Sequence, residues 1–356
     1  GAPQGSDRWW QVVGNLARLL GRYHQSSMSA DPVSMVKVDF TGGQPRFDFS
    51  EYERFVSLFQ KAGVDGSIEG ANLLERERRP GAPIMLNAWV NENGRAVHKL
   101  VPYQDPEARG FLDAFLPALR EMLARNGWTQ KYLQGVLDEP HDGEHEIFAE
   151  VAALVRKQLP GVRMIEPVGA DQDLSFMKDV DIWVPQLGSF DEKRLEEMRQ
   201  YSASGGELWF YTALTPVGAY PNRFIDFSLA KVRILHWMNY RFGFRGFLHW
   251  GGNYWGPEPL LDTQPVINEG REHLPPGDAY IVYPDRERLT FYSSIRLEQM
   301  REGIEDYALL DMLAAKNRAA ADALAKEAVG SFTDYVREAK PFRQIHRKLL
   351  DALDGK

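Results

Sequence analysis

Asp138 and Glu139 stand side by side at the end of an apolar run, Tyr132–Leu137, with Pro140 after them. Two adjacent carboxylates leaving an apolar segment repel each other, and partial burial pushes at least one pKa upward. A raised pKa is what a general acid needs near neutral pH. An acidic pair taken at random is more often a solvated turn, here with Asp142 capping the helix behind it. Placement at the C-terminal end of a strand in a parallel α/β fold reverses that preference, because active sites gather at such ends.

The other strand ends are polar and aromatic. Glu69 and Asn72 close the run Asp65–Ala71, and Gln186 ends the run that contains Trp183. Tyr211 and Thr212 lie near the end of Glu207–Leu214. His249 and Trp250 end Phe244–Trp250, which continues as Gly251-Gly252-Asn253-Tyr254-Trp255. Glycines beside two Trp residues let the backbone approach a ligand, and indole rings suit the apolar faces of sugars. Core packing accounts equally well for Trp183 and Trp209. For Trp250 and Trp255, with polar and glycine neighbours, binding is the better reading. Glu69, Gln186, Tyr211, His249, Trp250, Asn253 and Trp255 are therefore the candidate substrate contacts. Arg301 and Glu305 form an i,i+4 pair, a structural arrangement by default. The eight histidines show no HExxH or comparable spacing, so neither a metal nor another cofactor is expected.

The elements that must position these residues alternate between short apolar runs and amphipathic helices, the pattern of a parallel α/β fold. A helix over Asp7–Tyr23 is followed by a strand near Ser27 that leads into Met35–Val38. Ser50 caps a helix to Ala62. Strands follow at Asp65–Ala71, Tyr132–Leu137, Val162–Val168, Asp181–Leu187, Glu207–Leu214 and Phe244–Trp250. Between Asp65–Ala71 and Tyr132–Leu137 lies a hairpin insertion, about 75–104, with Asn93-Gly94 at its tip. A short helical piece is expected at Asp173–Met177 and a helix at Arg223–Arg241. Helices at Ser293–Ala315, Ala319–Val329 and Lys340–Leu353 close the chain. Seven strand signals and a helical start predict a (β/α)8 TIM-type barrel whose first strand lies upstream of Gly1. The barrel spans residues 1–315, and the helices of 316–356 pack on it. An open doubly wound sheet would want a glycine-rich phosphate loop after its first strand, and none is found.

Composition narrows the partners. The net charge of −8 opposes nucleic-acid binding, and no apolar run reaches the roughly 18 residues of a membrane span. With no cysteine in 356 residues, disulfides, thiolate nucleophiles and cysteine-bound metals are excluded. A signal peptide removed earlier would leave no trace, so the compartment stays open among secreted, periplasmic and cytoplasmic.

Two stretches resemble the catalytic domain of glycoside hydrolase family 123. One is Leu137-Asp138-Glu139-Pro140. The other is the run Gly277-Asp278-Ala279-Tyr280-Ile281-Val282-Tyr283-Pro284, with Ser294-Ile295-Arg296-Leu297-Glu298 and Arg301-Glu302-Gly303-Ile304-Glu305-Asp306-Tyr307 after it. The second is the more specific, and the strand order extends the resemblance over nearly the whole chain. It implies a β-N-acetylgalactosaminidase acting on glycans such as those of glycosphingolipids. By the same resemblance Glu139 is the general acid/base, and Asp138 orients the 2-acetamido group and stabilises its developing positive charge. Family members carry a β-sandwich before the barrel, so one is expected upstream.

The residues themselves separate two mechanisms. Many retaining barrel glycosidases place an acid/base after strand four and a carboxylate nucleophile at the end of strand seven. Counting the absent first strand, Tyr132–Leu137 is strand four and Glu207–Leu214 strand seven. The only carboxylate of the latter, Glu207, lies at its N-terminal end, several residues of about 3.3 Å each from the active face. In substrate-assisted hydrolases the acetamido oxygen attacks instead, so one acid/base and one orienting carboxylate suffice. Tyr211 is then the candidate hydroxyl donor to that oxygen, and Trp250 the floor beneath the ring. The alternatives are a conventional retaining glycosidase on other glycans and a non-catalytic carbohydrate-binding barrel.

Overall fold

The computed structural model describes residues 2–77, 81–170, 172, 174–268, 270 and 272–355. The chain divides into two compact units, Gly1–Gly21 with Gln25–Trp183, and Arg22–His24 with Val184–Lys356. Among the described residues the main sheet has seven strands in the order of the chain, the strand count expected from the sequence.

In the first unit, helix α1 (Asp7–Arg22) buries Trp10, Val13 and Ala17, and carries Asp7 and Arg22 at the ends that suit the helix dipole. Strand β1 (Ser27–Ser29) pairs parallel with β2 (Ser67–Gly70), and β2 with β3 (Tyr132–Gln134). β3 in turn pairs parallel with β4 (Arg163–Val168) through Leu133–Arg163 and Gln134–Met164. A single helical turn at Pro32–Met35 follows β1, capped by Asp31; the expected continuation through Met35–Val38 is this turn plus a short antiparallel ribbon, Lys37–Asp39 with Arg46–Asp48. Ser50 is the first residue of α2 (Ser50–Lys61) rather than its cap, and Asp48 accepts from its N–H at 2.9 Å.

α3 (Pro106–Arg125) starts with proline after Asp105, as the missing N–H of proline allows. It buries Phe111, Leu112, Phe115, Leu116 and Leu119, with Phe47 and Phe49 against Phe115. α4 (His145–Gln158) is preceded by a 3-10 turn that contains Asp142. The insertion is a three-stranded antiparallel sheet, Leu74–Arg76, Ile84–Glu92 and Arg95–Pro102. Its tip holds Asn93 and Gly94 at φ 53° and 85°, the left-handed pair a two-residue hairpin requires. The piece expected at Asp173–Met177 is a 3-10 segment at Ser175–Asp179; Asp173 lies outside the described residues.

The boundary between the units falls inside β5 (Ile182–Pro185). In the second unit Asp191 caps α5 (Glu192–Ala203), accepting from Arg194 N–H at 2.7 Å. β6 (Glu207–Tyr211) pairs parallel with β7 (Gly246–Leu248). Between them α6 (Leu229–Phe242) begins six residues later than expected from Arg223, and Gly243 ends it at φ 76°. α7 (Ile295–Ala328) joins two of the expected helices. Asn317 is its one non-helical residue and marks the break that the sequence suggests near 316–318. A Cβ on Gly303 would lie 2.6 Å from the Arg233 carbonyl, so glycine there lets α7 close on α6. α8 (Ala339–Leu353) buries Phe342, Ile345 and Leu349. No described helix is long and apolar enough to cross a membrane.

Candidate active site

Past Gln134 the backbone of β3 leaves the β3–β4 ladder. Leu74 N–H donates to the Val136 carbonyl at 2.9 Å, and Leu74 bridges Leu137 in parallel register. On the β4 side a side chain replaces the ladder: Glu166 Oε2 accepts from Val136 N–H at 3.1 Å. The segment so held ends in Asp138 and Glu139.

Glu139 has φ 45°, a left-handed conformation that costs a non-glycine residue about 1–3 kcal/mol. Two donors hold its carbonyl there. Arg76 Nη2 donates at 2.8 Å and Gln172 Nε2 at 2.6 Å. Arg76 also forks onto Glu144, with Nε and Nη2 each 2.7 Å from a carboxylate oxygen. Glu144 Oε2 in turn accepts from His141 N–H at 2.7 Å. The insertion thus has a purpose legible in its hydrogen bonds, since its edge strand Leu74–Arg76 delivers the guanidinium that fixes Glu139.

Four carboxyls collect in this unit. Solvent reaches Asp138, yet protein atoms crowd its carboxyl, and this burial together with the charge of Glu139 holds its pKa above the ordinary value against the pull of Arg76. Glu69, at the end of β2, is pushed up to about 7 by burial and by the charge of Asp138. Glu166 is 1% exposed, and burial drives it well above the carboxylate range despite the Val136 N–H. Burial of Glu69 and Glu166 among these carboxyls disfavours their charged forms. Glu166 was not among the sequence candidates. The signal was a lone carboxylate in the apolar strand Met164-Ile165-Glu166-Pro167-Val168.

Glu69 gives a test with a definite sign. Its folded pKa is about 7 against an ordinary 4.5. The folded state therefore holds the proton more tightly, and stability declines as pH rises through that window. Glu69→Gln removes the penalty. The variant is expected to be more stable than wild type by about 3 kcal/mol at pH 8 and by under about 1 kcal/mol at pH 5. Urea unfolding at both pH values measures it; an equal shift at the two would refute the assignment.

The second unit holds the remaining candidates. Gln186 bridges Tyr211, a buried residue, and its Nε2 lies 3.4 Å from the part-buried Tyr211 hydroxyl. His249 is buried. Its Nδ1 accepts from Arg223 Nη2 at 2.7 Å and from Gly251 N–H at 3.2 Å. Its Nε2 stands 3.2 Å from Asp278 Oδ1, at ion-pair distance but without hydrogen-bond alignment. Burial, with the charge of Arg223, pushes the imidazole down to about 3, so it is neutral. Asp278, fully buried, takes Trp250 Nε1–H on Oδ2 at 2.9 Å. The indole of Trp250 is thereby anchored at one edge while 45% of the residue stays exposed. Tyr254, 59% exposed, lies 6.1 Å from it, ring to ring. Tyr254 and Asp278 both stood in stretches singled out from the sequence, without a role.

The two glycines of the loop divide. Gly251 accommodates the chain itself, since a Cβ there would lie 2.7 Å from the Asp278 carbonyl; at Gly252 the space is open. Asn253 is exposed and bridges Tyr280 through its backbone. Trp255 donates to the Val282 carbonyl at 2.8 Å and stacks on Phe291. Trp183 and Trp209 are core residues, with indole N–H groups on the Met177 carbonyl and on Glu207. The Gly277–Pro284 run is tied down by Arg296, which donates to the carbonyls of Arg223, Gly277 and Tyr280 at 2.7–2.8 Å. Among the described residues no group of three or more His, Asp or Glu gathers as a metal site.

The model of the glycoside hydrolase 123 catalytic domain matches residues 18–313. No curated protein sequence matches the chain. Among solved structures, a family 123 glycoside hydrolase from Clostridium perfringens, determined for the details of glycolipid glycan hydrolysis, is similar at TM-score 0.70 and 16% identity. The match covers 98% of this chain and 64% of that one, so this chain spans less than two thirds of that protein's length. A β-galactosidase from the psychrophilic Marinomonas ef1 has TM-score 0.49 and 10% identity, over 91% of this chain and 60% of its own. A Thermobacillus composti GH10 xylanase has 0.43 and 11%, over 82% and 94%.

Proposed function

This chain belongs to glycoside hydrolase family 123, and on that footing we propose that it is a retaining, exo-acting β-N-acetylhexosaminidase, with β-N-acetylgalactosaminides of glycolipid-type glycans as substrates. Glu139 is the general acid/base. Asp138 orients the 2-acetamido group, whose oxygen attacks the anomeric carbon. The observation that carries this reading is the contiguous pair on a clamped backbone, Asp138 in a crowded, acid-rich setting and Glu139 fixed through its carbonyl by Arg76 and Gln172.

The mechanism needs no second protein carboxylate as nucleophile. At the C-terminal end of β6 stand Tyr211, Thr212 and Ala213, and Glu207 at its start is engaged by Trp209. Asp278, the buried carboxylate after β7, is occupied by Trp250 and flanked by His249, a poor state for attack. Trp250 offers an indole face for a sugar ring, and Tyr211 offers a hydroxyl for the acetamido oxygen. The chromogenic aryl β-N-acetylgalactosaminide tests the reading, with proton NMR on the first-formed sugar. Release of the β-anomer is expected. The α-anomer first would mean inversion, and no release from any aryl glycoside would favour a carbohydrate-binding role.

A further inference from the structure

Glu166 has no part in the chemistry above, yet it occupies the most constrained place in the acidic cluster. The β3–β4 ladder stops at Gln134–Met164. Three residues farther along β4, Pro167 brings no N–H, so backbone alone cannot continue the pairing there. Glu166 Oε2 fills the break by accepting from Val136 N–H, and Oε1 is buried without a hydrogen-bond partner. Two residues beyond Val136 the chain reaches Asp138.

We infer that Glu166 is a positioning residue for the acidic pair: its carboxyl takes over the main-chain hydrogen bonding where β3 leaves β4 and fixes the segment that ends in Asp138 and Glu139. It acts as a neutral carboxylic acid. A carboxylate buried here would be desolvated and would meet the field of Asp138, a cost that the Val136 and Leu137 N–H groups and the charge of Arg76 offset only in part. As an acid it keeps Oε2 for the Val136 N–H and carries its proton on Oε1. No further charge is then added beside Asp138. This inference rests on the catalytic roles proposed for Asp138 and Glu139.

Three variants and one spectrum test it, using whichever aryl glycoside the wild type hydrolyses. Glu166→Gln preserves a neutral carbonyl acceptor, and its kcat is expected within about threefold of wild type. Glu166→Ala and Glu166→Leu orphan the Val136 N–H and free the segment. Their kcat is expected to fall by about 10- to 100-fold with little change in KM, the scale of a reacting group displaced by about an ångström. Difference infrared spectra of wild type against Glu166→Gln at pH 7 should show the C=O stretch of a protonated acid in wild type alone. Should the alanine and leucine variants fail to fold, the glutamine variant and the spectrum still decide. A folded Glu166→Gln protein as impaired as the truncations, undiminished kcat in a truncation, or absence of the protonated band each overturns the inference. A wild type that hydrolyses no acetamido sugar would defeat the proposed function and leave the infrared result standing.

Discussion

Glu139→Gln is expected to lower kcat by a factor of about 10² to 10⁴ on substrates with poor leaving groups, the scale of lost general acid–base catalysis. The substitution is close to isosteric, and two anchors of residue 139 act on its backbone: Arg76 and Gln172 both donate to its carbonyl. The amide therefore sits where the carboxyl sat, and the loss reads the missing proton rather than a displaced loop. Leaving-group dependence separates the two. A very acidic phenol departs without much protonation, so it should suffer least, whereas an alkyl or sugar aglycone should suffer most. Near-normal turnover of a poor leaving group by the variant would end the assignment. An equal loss across all leaving groups would instead mean that the site had been deformed.

How much of this was visible in the sequence depends on the range of the interaction. The Asn93-Gly94 hairpin, the parallel strands and the break at Asn317 follow from local rules of turn chemistry and periodicity, and the structure carries all three. Strand ends were less legible. Tyr132–Leu137 was expected as one strand, but it leaves the β4 ladder after Gln134, because Glu166 and Leu74 take over the hydrogen bonds of the next residues. Those partners lie 30 and 62 residues away (166 − 136 and 136 − 74), beyond what any local window contains. Arg76 is a similar case. Nothing in its neighbourhood marks it as the clamp of Glu139, since that role exists only once the insertion is folded.

The C-terminal run shows the converse. Its motif was the most specific part of the family resemblance, and the contacts of its charged residues are structural. Arg296 gathers three carbonyls around the Gly277–Tyr280 turn, and that turn carries the Asp278 that anchors Trp250. Asp306 accepts from Arg233, Trp237 and His346 and fastens α7 to α6 and α8. His249 belongs with them: neutral and buried, it lies in the support of Trp250 and offers no polar edge to solvent. Specific spacing in a sequence can thus mark the scaffold that aims a binding surface as readily as the surface itself.

Removal of the 2-acetamido group from the substrate is expected to abolish turnover. Two features support that expectation. The acidic pair is contiguous, so its members cannot stand on opposite faces of a sugar as an acid and a separate nucleophile must. The carboxylates elsewhere at strand ends are either enclosed, as Asp278 is, or protonated near neutrality, as Glu69 with its pKa of about 7 is to a large extent. If the substrate brings its own nucleophile, a β-galactoside with the same aryl leaving group loses the attacking atom itself, not merely some binding energy. Its kcat should fall to the background of the assay, while an N-acetyl sugar is hydrolysed. A thiazoline that mimics the cyclised intermediate should bind far more tightly than substrate, as transition-state-like ligands do. Asp138→Asn should be strongly impaired on the acetamido substrate, because an amide cannot balance the positive charge that grows on the ring nitrogen. Burial and the charge of Glu139 raise the pKa of that carboxyl, so a positive charge beside it would favour its anionic form. Comparable kcat on the two aryl glycosides would falsify substrate assistance, and a protein carboxylate would then have to be sought as the nucleophile, with Glu69 the first to replace.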